Sequence, residues 1–315
     1  MSGHILLCDF TFGSYIKLAL AQPGRRPEEA SLHSCSGREE FNEAVQAFLA
    51  QQGQPRLVGA AISSRGWESH GILHLPDEDI TIVREEVRDF LKIQRLNLVN
   101  NFVARALAIP KLRRAERIKI CGGAGMEEQV IAVLGPHHGL GLAALAPDGA
   151  GGWSAMPCEG GHSDLPVANA READVCRILR AEHGHVAREY AISLSGLIDV
   201  WKALGVLDGG PLRATSAQAI VDAAKAGDAR AAEAVRLCLG WLAAMASDIA
   251  LIQGARGGIY LTGDLMDMLD ELFDAEAFCE RYADKGRLSA YVSEIPVYRT
   301  QAKDLEIIGL ATLFD

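Results

Sequence analysis

Residues 131–142 read IAVLGPHHGLGL: an apolar run of strand character, a turn punctuated by Gly135 and Gly139, and a second apolar run. Glycines in such a turn let backbone N–H groups close on an anion, which gives the stretch the outline of a phosphate loop. Its centre is His137-His138, two bulky rings where that task wants small residues, so a metal site stays open as a second reading. The same strand–turn–strand outline occurs near the N-terminus. There HILLCDF (4–10) and IKLALAQ (16–22) flank TFGSY and read as a hairpin.

Each strand pair is followed by alternating helices and strands. After the first come a helix in EEFNEAVQAFLAQQ, with Phe41, Val45, Phe48 and Leu49 at helical spacing, a strand in RLVGAAIS and a helix in REEVRDFLKIQ. LNLVNNF is then a strand whose end meets a helix expected from about Val103. After the second pair, residues 170–252 read as mostly helical, GGIYLTG as a buried strand, LMDMLDELF as a helix, EIPVYRT as a late strand and DLEIIGLATLF as a terminal helix. No period of 20–50 residues recurs, which excludes a solenoid. The pattern predicts two α/β domains flanking a cleft, with a single doubly wound sheet as the alternative.

Composition narrows the function classes. Of 315 residues, 49% are hydrophobic and 23% charged, the profile of an ordinary globular chain with room for a large core. A formal charge of −10 and no basic run argue against nucleic acid and anionic membrane as partners. The N-terminus has no signal-peptide pattern, and no apolar run is long enough to predict a membrane span. The seven cysteines are scattered without a CxxC pair, which points to reduced thiols and a cytoplasmic setting.

Four stretches carry candidate chemistry. LVNNFVARALAIPKL puts Asn100 and Asn101 where a strand yields to a helix: either ligand contacts at a strand's carboxyl end or a plain helix cap. MPCEGGHSDL sets Glu159 and His162 across a Gly-Gly turn. A carboxylate and an imidazole there suit vicinal hydroxyls, whereas a solvated loop is the alternative. A zinc reading would recruit His162, His183, His185 and Cys158, but the spacing matches no standard zinc signature. HVAREYAISLSG offers Glu189, otherwise a surface residue. GGIYLTGDLMDML ends a strand in Thr262-Gly263-Asp264, either a nucleotide-facing turn or a helix capped by Asp264.

Taken together and in order, LVNNFVARALAIPKL, GLGLAAL, EGGHSDL, ILRAEHGHV, GGIYLTGDL and DKGRLSAYVSEIPVY resemble the bacterial glucokinase family, within the actin/hexokinase-like ATPase superfamily. The resemblance spans nearly the whole chain. It implies a two-domain α/β fold of ribonuclease H-like type: a small domain over 1–110, to which helix 303–315 returns, and a large α+β domain over 111–302. It also implies ATP and glucose meeting in the cleft, phosphorylation at the 6-hydroxyl, Mg²⁺ arriving with ATP near Asp9, no metal held by protein ligands alone, and a homodimer. Position by position, the sugar contacts fall on Asn100, Asn101, Glu159, His162 and Glu189. The nucleotide contacts fall on Asp9, Gly13, Ser14, His137, His138, Gly139 and Gly263.

Several positions depart from the family pattern. The family's catalytic Asp is Asn101 here, and an amide orients a hydroxyl without taking its proton. The first loop, D-x-G-G-T-N in the family, becomes DFTFGS, with Thr11, Phe12, Gly13 and Ser14 in place of G-G-T-N. In the second loop, G-x-G-T-G-L-G, Gly becomes His137 and Thr becomes His138. The family's Gly-Gly on the adenosine side becomes Gly263-Asp264. In AAISSRGWESHGILHLP only Gly66 matches the usual P-x-x-G-D segment. Three readings follow: a glucokinase with a substitute base (His137, His138 or Glu159), a non-catalytic sugar- or metabolite-binding protein on the same scaffold, or a different small-molecule transferase with the histidines as active groups.

Overall fold

The computed structural model describes residues 3–10, 14–65, 67–75, 80–210 and 216–315. Contacts divide the chain into two compact units, Met1–Arg114 with Ala302–Asp315, and Ala115–Gln301.

The first unit is built on β1 (His4–Phe10), β2 (Tyr15–Ala21), β3 (Ser31–Ser34), β4 (Leu57–Ser64) and β8 (Leu96–Asn100), ordered β3-β2-β1-β4-β8. The β1–β2 pair is antiparallel, while β1, β4 and β8 run parallel. Leu6, Cys8, Phe10, Ile16 and Leu18 lie on one face under Phe41, Val45 and Phe48 of α1 (Arg38–Gln51) and Val87 of α2 (Arg84–Leu91). Ile5, Leu7, Ala19 and Ala61 lie on the other, against Ala104 of α3 (Asn101–Ala108) and Ile307, Leu310 and Phe314 at the C-terminus. Burial on both faces is why β1 reads as an unbroken apolar run rather than an alternating one. The terminal helix Leu305–Thr312 packs so tightly that a Cβ on Gly309 would stand 1.7 Å from the Ala104 carbonyl oxygen. A three-stranded sheet, β5 (Trp67–Ser69), β6 (Ile72–Leu75) and β7 (Ile80–Val83), lies in a region the sequence pattern left without elements. The α3 helix starts at Asn101, ahead of the expected Val103, because Asn100 caps it.

The second unit carries a six-stranded sheet of β9 (Arg117–Cys121), β10 (Ile131–Pro136), β11 (Leu140–Pro147), β12 (Trp153–Cys158), β13 (Gly258–Leu261) and β14 (Val297–Thr300), ordered β12-β11-β10-β13-β14-β9. Its helices are α4 (Ala170–His183), α5 (Leu194–Asp208), α6 (Ala217–Lys225), α7 (Ala229–Gln253), α8 (Asp264–Met268), α9 (Ala275–Ala283) and α10 (Ser289–Ser293). By length and composition α7 is apolar enough to cross a membrane, but 72% of its most apolar window is buried within the protein. Trp241 at its centre is fully buried and donates its indole N–H to the Pro166 carbonyl at 2.9 Å. All seven cysteines are free thiols, with Cys8, Cys35 and Cys238 buried in the cores.

Candidate functional site

In the first unit Asp9 and Asn100 stand at the carboxyl ends of the parallel strands β1 and β8. Asn100 ends β8 and its Oδ1 accepts the Phe102 N–H at 2.8 Å, so this side chain caps α3. Asn101 is the first residue of that helix and is half-buried. On the neighbouring strands, Ser63 Oγ of β4 donates to Oδ1 of Asp9 on β1 at 2.6 Å. Burial and the nearby Glu306 carboxylate push the Asp9 carboxyl up to about 7, against the pull of Ser63, Lys17 and Arg105. Glu306 itself accepts from Arg105 Nε at 2.5 Å, and Lys17 pairs with Asp304 at 2.7 Å. Ser14 is exposed, and its carbonyl accepts the Cys35 N–H at 2.7 Å. Thr11, Phe12, Gly13 and Gly66 lie outside the described residues.

In the second unit, the Gly-Gly of EGGH is required by close packing on β11. A Cβ on Gly161 would stand 2.1 Å from the Leu140 carbonyl oxygen, and one on Gly160 would stand 2.5 Å from Leu142 Cδ2. The two glycines thus form a single 3₁₀ turn with Glu159 before it and His162 at its end. The following residues zip onto the segment before Glu189, through Leu165 N–H to Val186 O at 3.0 Å and Arg188 N–H to Ser163 O at 2.9 Å. The Arg188 guanidinium adds bonds to the Asp164 carbonyl and to Asp248. The zipper brings Glu189 Oε1 to 3.5 Å from His162 Nδ1. The other Glu189 oxygen lies 3.0 Å from where a Gly139 Cβ would stand, so His162, Glu189 and Gly139 form one cluster.

The histidines and cysteine of the zinc reading do not gather. His183 stacks on Tyr190 and faces Asp199, His185 bonds the His162 carbonyl and Asp164, and Cys158 bonds the Met156 carbonyl. Among the described residues no group of three or more His, Cys, Asp and Glu is placed to hold a metal ion.

The turn 137–139 joins β10 to β11 and uses its own donors. The His137 N–H bonds the Gly139 carbonyl at 2.8 Å, and the His138 N–H bonds Nδ1 of His137 at 2.7 Å. The two rings stack with centroids 4.8 Å apart. The carbonyls of His137 and His138 accept from Leu194 N and Ser195 Oγ at the start of α5. With Nδ1 accepting, the ring proton is assigned to Nε2, which lies 2.6 Å from Oδ2 of Asp264. Both ring nitrogens are engaged, and His137 does not fit the role of substitute base. Asp264 is not the cap of α8: Gly263 holds that place at φ +107, and Asp264 is the first helical residue. A Cβ on Gly263 would stand 2.5 Å from the Pro136 carbonyl, and this close approach delivers the Asp264 carboxylate to His137. Sequence reasoning singled out both residues but not their contact, nor Ser195 and Arg188. The one local sign was the Ser193-Leu194-Ser195-Gly196 start of α5, where Ser193 Oγ accepts the Gly196 N–H.

Two units of this kind, one led by an antiparallel strand pair with parallel strands beside it and the other repeating that arrangement, make the actin-like ATPase fold of sugar kinases. The glucokinase family model matches residues 13–315, and the chain belongs to the glucokinase family. A glucokinase-like protein of Caulobacter vibrioides is 37% identical over 96% of this chain and 94% of its own length. A glucokinase of Pseudomonas paraeruginosa is 33% identical over 98% and 91%. The crystal structure of a glucokinase from an Antarctic psychrotroph superposes with a TM-score of 0.89 at 25% identity, covering 100% of this chain and 99% of that one.

Proposed function

We propose that this glucokinase-family chain binds a hexose through Asn100, Asn101, Glu159, His162 and Glu189, with phosphoryl transfer to the sugar's 6-hydroxyl impaired. The observation that carries the reading is the carboxamide of Asn101 on the first turn of α3. A carboxamide orients a hydroxyl by hydrogen bonding but does not accept its proton at neutral pH. Loss of a general base costs about 10²–10⁴ in rate. The sugar side supports the binding half of the proposal. His162 and Glu189 are held together by the Gly160-Gly161 packing and the Arg188 zipper, an arrangement suited to vicinal hydroxyls.

ATP with Mg²⁺ is the donor implied by family membership, and the residues here fit it poorly. Asp9 is buried and bonded to Ser63, and burial pushes its carboxyl above the usual carboxylate range, which disfavours the charged form a metal would need. The N–H groups of His137 and His138 are used inside their turn. A scaffold that binds sugar without rapid turnover is the consistent role. A coupled assay of hexose-dependent ADP formation, run beside calorimetry with glucose and with ATP, tests it. Glucose binding with turnover well below ordinary kinase rates is expected. Turnover of about 10 s⁻¹ or more, the ordinary enzyme range, would sink the proposal.

A further inference from the structure

The two substitutions on the nucleotide side of the second unit, His137 and Asp264, are bonded to each other at 2.6 Å. We propose that they form a latch that closes the β10–β11 turn to anionic groups and sets the chain's donor specificity against nucleoside triphosphates. The proposal deepens the reading above, resting on its placement of the nucleotide's phosphates at this turn.

A turn captures phosphate by offering backbone N–H groups that have no other partner. Here the His137 N–H is spent on Gly139, and the His138 N–H on the His137 ring. That second bond fixes the ring: Nδ1 accepts, so Nε2 carries the proton and donates to Asp264. The Asp264 carboxylate is thereby held beside the turn. Glu189 adds a second carboxylate on the other flank, beside Gly139. An entering triphosphate therefore meets two negative groups and two spent amides, where attraction would need the reverse.

The latch is anchored on both sides. The turn's carbonyls are held by Leu194 N–H at 2.7 Å and Ser195 Oγ at 3.1 Å, so the turn does not open without breaking bonds to α5. Asp264 is held by the packing of Gly263 on Pro136. Either residue still obstructs the turn when the other is removed: without Asp264 the His137 ring keeps the His138 N–H, and without the ring the Asp264 carboxylate remains beside the turn. Residues so coupled give non-additive effects when changed together.

The test titrates ATP, and tripolyphosphate as a probe without a nucleoside, into the full-length protein by calorimetry. Four forms are compared: wild type, His137→Gly, Asp264→Gly and the double variant. The expected result is no saturable binding to wild type in the millimolar range. The double variant should bind at least about tenfold tighter than either single one, by more than their separate gains combine to give. A double variant that binds no tighter than wild type overturns the latch, as does wild type that binds ATP as tightly as the double variant. A second measurement needs no variant. In wild-type protein the ¹⁵N signals of His137 should show the proton on Nε2 at neutral pH and stay fixed as tripolyphosphate is added; a saturable shift overturns the proposal. Glucose titration of wild type separates the two readings. Absent glucose binding removes the hexose site and leaves the latch standing, while tight ATP binding does the opposite.

Discussion

Arg105 of α3 and Glu306 of the terminal helix meet at 2.5 Å, with side chains 12% and 9% exposed, 201 positions apart in the chain. The pair ties the last helix to the one that opens with Asn101. Removing one partner leaves the other charge buried, the most costly way to alter such a pair. Glu306→Ala is therefore expected to lower unfolding stability by about 3–5 kcal/mol, read from urea denaturation. A loss under about 1 kcal/mol, the range of exposed pairs, would contradict the role assigned to it.

Asp9 gives the first unit an unusual pH response. Its folded-state value of about 7 lies above its ordinary 3.8, so the folded protein holds a proton that the unfolded chain releases. Stability from this group falls as pH rises from about 4 to 7 and then levels off. Glu306 acts oppositely: burial pushes it up, but the Arg105 guanidinium, hydrogen bonds and Lys17 outweigh that and hold it below its ordinary 4.5, and its contribution is lost as pH falls below that value. Asp9→Asn should flatten the decline between pH 5 and 7 and raise stability at pH 8. Thermal melts across that range decide it, and an unchanged slope counts against the assignment.

On the sugar side, Glu189→Gln and His162→Ala are each expected to weaken glucose binding by about 10–100-fold, the worth of a charge-assisted hydrogen bond. Gly161→Ala should do as much without touching the sugar. Its methyl group would stand 2.1 Å from the Leu140 carbonyl and displace the turn between Glu159 and His162. Overpacking of that kind costs roughly 1–3 kcal/mol in stability. Calorimetry with glucose and a melting curve read both effects; undiminished affinity in all three variants refutes this site.

Restoring the base alone should recover little. Asn101→Asp in the wild-type background is expected to raise hexose-dependent ADP formation less than about tenfold. In the His137→Gly/Asp264→Gly background the same change should add about 10²–10⁴. The full gain from Asn101→Asp alone would show that the turn is no barrier to the donor.

The long apolar elements were legible because each carries its own signal. The β1 and β10 runs, the helical spacing of Phe41, Val45 and Phe48, and the terminal helix follow local rules that need no partner to be read. The short strands β3, β9 and β12 were not legible. They lie at or beside sheet edges with half their residues exposed, and edge strands lack the apolar pattern that marks buried ones. Asn100 shows a residue with two readings at once: its side chain caps α3, and nothing local separates that use from ligand binding.

The sequence by itself determined the family, the amide at position 101 and the rings at 137 and 138, since residue identity and order suffice for these. Tertiary structure alone decided which groups those residues meet. His137 finds Asp264, Glu189 finds Gly139 and Asp9 finds Glu306 through close approaches permitted by Gly263, Gly161 and Gly309. Such encounters depend on how distant segments pack, and no periodicity or spacing along the chain encodes them.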